Sequence, residues 1–368
     1  MMTNKEREIL EIIKENPSIE QAQIAELLGV TRSTVAVHIS SLMKQGYLLG
    51  KGYIVSEEDD YIVGIGASNV DVYGKSKIPL RKHYDHPADI TSSVGGVMHN
   101  IITNFTLFGG KAKMITAYGD DSYGKMIEED YKNNGIDLSH SLKVKGASSG
   151  VFIQLQDEDN DMYMAVCDMS VLEAITPDLI YAKQGLLAGA KLVVIDPSLA
   201  DQTIEAVIDV CKGKTPIYID PISDNFAKKV APYVKDFEFI KPNRSELSCL
   251  VGEKAQTAGE IEKACAKLLR QGLKKILISM SKDGIFYMDE KTKKFASFKE
   301  EKHMVNASGA GDALMAAFLY GEVMGLPITE TIDLGMAAGI AAIRCPSAIN
   351  ENKTIGLLQQ IIKENKEI

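Results

Sequence analysis

Two folds in series are predicted: an α+β head over residues 1–57 and a three-layer α/β sandwich over 61–368. Three observations predict this. Short amphipathic helices and one alternating segment fill the first 56 residues, and the acidic run Glu57-Glu58-Asp59-Asp60 then breaks the pattern. From Tyr61 onward, apolar strand-like runs alternate with helical periods. Such alternation sets parallel strands side by side with crossover helices on both faces of the sheet. A chain of 368 residues holds two such units at ~150 residues per domain.

Within the head, residues 5–15 turn Ile9, Leu10, Ile12 and Ile13 to one side, and Asn16-Pro17 stops that helix. Ser18 caps a second helix over 19–28, which Gly29 ends. Thr31 caps a third, carrying Val35, Val37, Ile39, Leu42 and Met43 up to Gly46. Residues 47–55 alternate around Gly50-Lys51-Gly52 as a small hairpin does. This is the element order of a winged helix-turn-helix, whose turn Ile24 to Thr31 resembles. Charge is sorted accordingly. Residues 1–30 carry six glutamates against Lys5, Arg7 and Lys14, whereas 31–56 carry Arg32, Lys44 and Lys51 and no acid. Arg32, Ser33, Thr34 and His38 are therefore expected near base edges, with Lys51 on a phosphate. The competing reading is an interaction module with a solvated basic side.

The composition is ordinary for a globular protein, at 45% hydrophobic and 25% charged residues. The longest apolar runs reach about eight residues, such as 336–343, well below the ~18 that a membrane helix needs. Five scattered cysteines argue for free thiols in a reducing compartment, so a cytoplasmic protein is expected. A net charge of −9 confines any nucleic-acid contact to a local patch.

In the second unit, strands are expected over 61–66, 113–118, 191–195, 216–219, 238–240 and 275–279. Helices are expected over 100–108, 127–133, 203–211, 258–271 and 312–324. Parallel sheets bind ligands at the carboxyl ends of their strands, so motifs just after strands carry the most weight. In Gly309-Ala310-Gly311-Asp312, small residues run straight into an apolar helix. Their amides and the helix dipole suit an anion, and Asp312, which would repel phosphate, suits a base taking a proton from an attacking hydroxyl. The alternative is an acidic cap on a buried helix. Gly95 and Gly96 permit close approach to a ligand, and Asn100 offers donor and acceptor to a diol. Asp71, in Asn69-Val70-Asp71, suits vicinal hydroxyls. Asn243 and Glu246 lie one helical turn apart and suit the waters of Mg²⁺, although such a pair is commonly just a helix start.

Together the Gly95-Gly96…Asn100…Gly109 motif, Asn243-x-x-Glu246, the segment 279–284 and Gly309-Ala310-Gly311-Asp312 are identified as the signature of ribokinase-type (PfkB) carbohydrate and nucleoside kinases. The resemblance covers residues 61–368. It implies a ribokinase-like sandwich whose small β lid comes from 69–94 and 148–167. It also implies ATP and Mg²⁺ as cofactors, with Ser279, Ser281, Gly284 and Asn350 beside the nucleotide. Ser281 stands where glycine is usual. Met164 to Met169, Asp220 to Ser223 and Ser347 to Asn350 are similar to the pseudouridine kinase branch, in which the ribose 5′-hydroxyl is phosphorylated. That likeness brings in Asp168 and Ser223 as base-reading or lid residues. Asn306 replaces the usual aspartate near the monovalent-cation loop and leaves K⁺ activation open. Lid strands in this family often pair between subunits, so a homodimer is expected. The rival functions are a nucleoside- or sugar-sensing transcriptional regulator built on a kinase fold and a kinase of another nucleoside or sugar. Weaker rivals are the Gly146–Gly150 hydrolase-elbow pattern, the Gly64-Ile65-Gly66 start of a dinucleotide loop and a His83/His86 metal pair.

Overall fold

Thr3 starts the first helix by accepting from Glu6 N at 3.2 Å, while Glu6 Oε2 reaches back to Thr3 N at 2.6 Å. Two orphan amides are thereby satisfied at once. These contacts belong to a computed structural model that describes residues 2–16, 19–48, 60–158, 161–298, 301, 305, 308–345, 347–350, 352 and 354–366. The helices of the head are α1 (Asn4–Glu15), α2 (Gln21–Leu28) and α3 (Arg32–Lys44). α2 begins two residues later than its periodicity suggests, because Glu20 N finds Gln23 Oε1 at 3.0 Å. Ser18, Lys51 and nearly all of the expected hairpin lie outside the described residues. Thr31 caps α3 as expected. Ile9, Ile13, Ile24, Val35, Ile39 and Leu42 are buried together as a core of the head's own.

The body begins with β1 (Tyr61–Ile65), β2 (Asn69–Ser76), β3 (Ala88–Gly95), α4 (Val97–Leu107), β4 (Lys111–Ile115), β5 (Ala117–Gly119) and α5 (Ser122–Asn133). Next come β6 (Leu142–Val144), β7 (Gly150–Gln156), β8 (Met162–Asp168), α6 (Pro177–Ala182), α7 (Gln184–Gly189), β9 (Leu192–Ile195) and α8 (Asp201–Cys211). Then follow β10 (Ile217–Ile219), α9 (Asp224–Val230), β11 (Phe239–Ile240), α10 (Arg244–Val251), α11 (Ala258–Gln271) and β12 (Lys275–Ser279). The chain closes with β13 (Ile285–Asp289), β14 (Lys293–Ala296), α12 (Ala310–Val323), α13 (Ile328–Ile343) and α14 (Ile355–Lys366). The tail of α3 rests on α7.

Eight strands form one sheet in the order β14-β13-β12-β11-β10-β9-β1-β4. The six from β12 to β4 are parallel. Successive residues alternate between two apolar clusters: Val63, Val193, Ile219 and Ile278 join one, while Ile62, Val194, Tyr218 and Leu277 join the other. That alternation makes the three layers, and burial on both faces is why these strands read as unbroken apolar runs. Three details differ from the expected elements. The run 113–118 splits, with β4 ending at Ile115 and Tyr118 moving into β5, which pairs with β6 in a small separate sheet. β13 and β14 add an antiparallel edge to an otherwise parallel sheet. α13 has no polar face to mark it, because it lies buried against α12.

A second sheet, β3-β2-β7-β8, forms from the two segments expected to make the lid. β2 runs antiparallel to β3 and parallel to β7. All of β8 is exposed. Among the described residues no helix is long and apolar enough to cross a membrane.

Candidate active site

Gly309 sets the tip of α12. Its φ of 78° is left-handed, and a Cβ there would lie 2.2 Å from Ala348 O, so only glycine fits between the helix and the 347–350 loop. The helical ladder starts with Ala313 N donating to Gly309 O at 2.9 Å. The first turn of α12 precedes that ladder, and the positive end of the helix dipole lies there. Asp312 sits partly exposed in this first turn and takes a 2.8 Å hydrogen bond from Asn100 Nδ2. Residues 212 positions apart thus meet in one contact.

On one side of that contact lies Asp71. Its carboxylate accepts from Asn69 Nδ2 at 2.6 Å and from Tyr73 OH at 3.3 Å. It lies so close to the backbone of β3 that a Cβ on Gly95 would come within 2.2 Å of Oδ2. Burial pushes this carboxyl above its ordinary value, against the hydrogen bonds from Asn69 and Tyr73. Gly96 caps α4 with a φ of 98°. Asn69, Asp71, Gly95, Gly96 and Asn100 therefore converge beside Asp312.

On the other side stands Lys241, which lies outside the motifs read from the sequence. Lys241, at the carboxyl end of β11, places Nζ 2.8 Å from Asp220 Oδ2, with both side chains almost fully buried. The same Nζ is 3.5 Å from where a Cβ on Gly311 would stand. Burial alone would lower this lysine's pKa, but Asp220, then Glu246 and Asp312, outweigh it and hold the ammonium charged above its ordinary value. A fixed positive charge thus faces the amides of the α12 tip. The signal in the sequence is a lysine directly after a fully apolar strand. Beside it Ile222 has φ 64°, a left-handed conformation that costs a β-branched residue about 1–3 kcal/mol. Its amide is held by Asp220 Oδ1 at 3.0 Å.

Asn243 caps α10, and it and Glu246 exchange hydrogen bonds of 2.9 Å between side chains and backbone. The bland reading of this pair is therefore realised, yet Glu246 stays buried. Its carboxyl is pushed up first by burial and further by Asp220 and Asp224, while Lys241 pulls it down. Excess negative charge of that kind fits a divalent cation nearby. Ser279 N donates to Pro242 O at 3.0 Å, and Arg244 pairs with Asp283 at 2.8 Å, which ties this helix start to the 279–284 turn. In that turn Ser281 has φ 55°, which explains why glycine is usual there, and Gly284 has φ 86°. Asn350 Nδ2 donates to Ala341 O at 3.2 Å, anchoring the loop against Gly309.

Residues 59–355 match the family described as pfkB family carbohydrate kinase. The chain belongs to that family. Residues 2–48 match the family described as winged helix-turn-helix DNA-binding. An uncharacterized sugar kinase of Escherichia coli K12, YeiI, is 30% identical over 96% of this chain and 97% of its own length, so that likeness includes the head. The pseudouridine kinase of the same organism is 29% identical over 84% of this chain and 98% of its own length. The fold is also that of Arabidopsis thaliana ribokinase complexed with ribose and ATP, at a TM-score of 0.71, 20% identity and coverage of 83% and 99%.

Not every expected residue of this pfkB kinase joins the site. Asp168 is exposed, and its Oδ1 takes Ser170 N at 2.9 Å to start the following turn. It pairs through Val151 with Val70, so strand alternation puts it on the lid face opposite Asp71. Phe152 and Gln154 share the face of Asp71 instead and were missed, because only strand register reveals which lid residues look inward. Ser223 caps α9 by accepting from Phe226 N at 3.4 Å and does not bond to the Asp71–Asn100 group. Asn306 lies outside the described residues.

In the head, Arg32, Ser33 and Thr34 are exposed, with both hydroxyls 2.8 Å from Thr31 Oγ1. His38 is half-buried and close enough to Glu6 to help lower its carboxyl, after hydrogen bonds from Ser41 and Thr3. The rival motifs fail on context. Gly146–Gly150 leads into strand β7 and opens no helix. Residues 64–66 lead into β2, again without a helix. His86 Nε2 accepts from Arg81 N at 2.9 Å. The sequence also holds two Gly-Lys-Ser/Thr triplets, Gly74-Lys75-Ser76 inside β2 and Gly213-Lys214-Thr215 between α8 and β10, and neither opens a helix as a phosphate loop does.

Proposed function

We propose that this chain is an ATP-dependent nucleoside kinase acting on the ribose 5′-hydroxyl, with pseudouridine as substrate. One observation carries the reading: the Asp312 carboxylate lies at the tip of a glycine-led helix, held by Asn100 on the sugar side, with the Lys241 ammonium close by. The 29% identity to a pseudouridine kinase supports the nucleoside, while the comparable identity to a sugar kinase supports a free sugar as the second choice.

In this mechanism Asn69, Asp71, Gly95, Gly96 and Asn100 hold the sugar hydroxyls and aim the 5′-oxygen. Asp312 takes the hydroxyl proton while that oxygen bonds to the γ-phosphorus and the bond to the ADP oxygen breaks. The amides of Gly309 to Asp312 and the charge of Lys241 receive the growing negative charge. Ser279, Ser281, Gly284 and Asn350 line the nucleotide. Asn243 and Glu246 would hold Mg²⁺ through water, and Mg²⁺ when bound neutralises the ATP phosphates. K⁺ remains a variable for the assay, through Asn306.

The remainder of the proposal concerns partners. The head, residues 1–57, binds DNA through Arg32 with Ser33 and Thr34, while residues 61–368 form the kinase. A homodimer is supported by the outer lid face, where Ile90, Ile153, Leu155, Met162, Met164 and Val166 lie exposed. Contiguous apolar surface of that kind marks an interface. Incubation with ATP, Mg²⁺ and a panel of nucleosides and sugars tests the whole. A 5′-phosphate from pseudouridine supports the reading, and ligand-induced thermal shifts with no product would favour a sensing regulator.

A further inference from the structure

His99 is buried in the first turn of α4, one residue before Asn100, and the mechanism above gives it no task. Both of its ring nitrogens face oxygen atoms. Nε2 stands 2.6 Å from Asp130 Oδ2 on α5, and Nδ1 stands 3.2 Å from Asn100 Oδ1. Asn100 in turn donates to Asp312 at 2.8 Å. Asp130, His99, Asn100 and Asp312 therefore form one chain of hydrogen bonds from α5 through α4 to α12.

An ionised carboxylate and an amide oxygen both accept and never donate, so each ring nitrogen must carry a hydrogen to close this chain. We propose that His99 is a positioning residue for phosphoryl transfer: as an imidazolium it fixes the direction of the Asn100 amide, and through it the place of the Asp312 carboxylate. When Nδ1 gives up its proton, its lone pair faces Asn100 Oδ1. The amide relieves that repulsion by turning over, which hands its NH₂ to Nδ1 and leaves its oxygen against Asp312. The base is then no longer held. The charged and titratable groups facing the ring are Asp130 and Tyr131 from α5 and Asp71 from β2, and the Thr103 hydroxyl, one turn further along α4, stands 3.4 Å from Nε2. Tyr131 packs edge-on to the ring at 5.1 Å and is itself bound to Ser68. The inference rests on Asp312 as the base.

Two measurements on the full chain test it. Long-range ¹H–¹⁵N spectra of histidine-labelled protein, assigned with His99→Phe, are expected to show protons on both ring nitrogens at neutral pH. In steady-state kinetics over about pH 6–9, kcat is expected to fall on the alkaline side with KM for ATP unchanged. Asp130→Asn, at a half-buried site on the edge of α5, removes the carboxylate that accepts from Nε2 and is expected to lower kcat with KM for ATP unchanged. His99→Phe keeps the ring packing on Tyr131, lowers kcat about 10- to 100-fold and abolishes the alkaline step. A neutral His99 in the spectrum, or an Asp130→Asn profile that overlays the unmodified protein, overturns the inference. The spectrum needs no turnover, so it separates this failure from failure of the kinase assignment.

Discussion

Replacing Lys241 by methionine separates two roles that one buried ammonium plays. Asp220 and Lys241 are 2.8 Å apart and almost fully buried, so Lys241→Met leaves a carboxylate without its partner in a site closed to water. Breaking such a pair from one side costs about 3–5 kcal/mol. The double variant Lys241→Met/Asp220→Asn removes both charges, and its new amide oxygen still accepts from Ile222 N, so most of that loss is recovered. The lysine's pKa is raised in the fold, so its contribution is present at neutral pH and is lost only as pH rises through that elevated value. Catalysis behaves differently. Losing a charge-assisted contact to phosphate costs about 1.5–3 kcal/mol, or about 10- to 160-fold in kcat/KM, and the double variant does not restore it. Urea unfolding followed by tyrosine fluorescence, in a chain with 14 tyrosines and no tryptophan, reads the first effect, and ADP release reads the second. If the double variant regains both stability and turnover, Lys241 is a structural residue and the charge at the α12 tip does not serve the phosphate.

Three further outcomes are expected. Asp71 is pushed above the ordinary carboxylate range by burial, so it protonates earlier than usual as pH falls; KM for the nucleoside should rise on the acid side, and Asp71→Asn should raise KM at neutral pH and flatten that dependence. Val166→Glu on the outer lid face should turn a dimer into a monomer in sedimentation, and an unchanged oligomer would place the interface elsewhere. Arg32→Ala should weaken DNA binding in fluorescence anisotropy and reduce the salt slope by about one, and indifference to both salt and the substitution counts against a DNA-binding head.

What the sequence discloses follows from the range of each interaction. α11 and β12 lie where the pattern puts them, 258–271 and 275–279, because caps, periodicity and strand runs are local. The α12 tip was legible for the same reason: Gly309 to Asp312 carry their conformation and chemistry in four consecutive residues. α13 was not, since the stretch Thr331 to Ala338 is buried without a break and shows no period. Asp168 looked like a base reader because adjacency in sequence says nothing about which face of a strand a side chain takes, and the register with β7 decides it. Lys241 with Asp220, and His99 with Asp130, are pairs brought together only by tertiary packing, each joining residues from different elements. Strand ends were the right places to look, but which polar residues there neutralise one another is a property of the fold.

The most direct measurement is the rate of phosphoryl transfer by Asp312→Asn in a single turnover with saturating ATP and acceptor. The new amide oxygen still takes the hydrogen bond from Asn100, so binding and folding are preserved while the proton acceptor is gone. The rate should drop about 10²- to 10⁴-fold with dissociation constants within a few-fold of the original. Turnover at nearly the native rate would contradict the placement of Asp312 as the group that takes the proton.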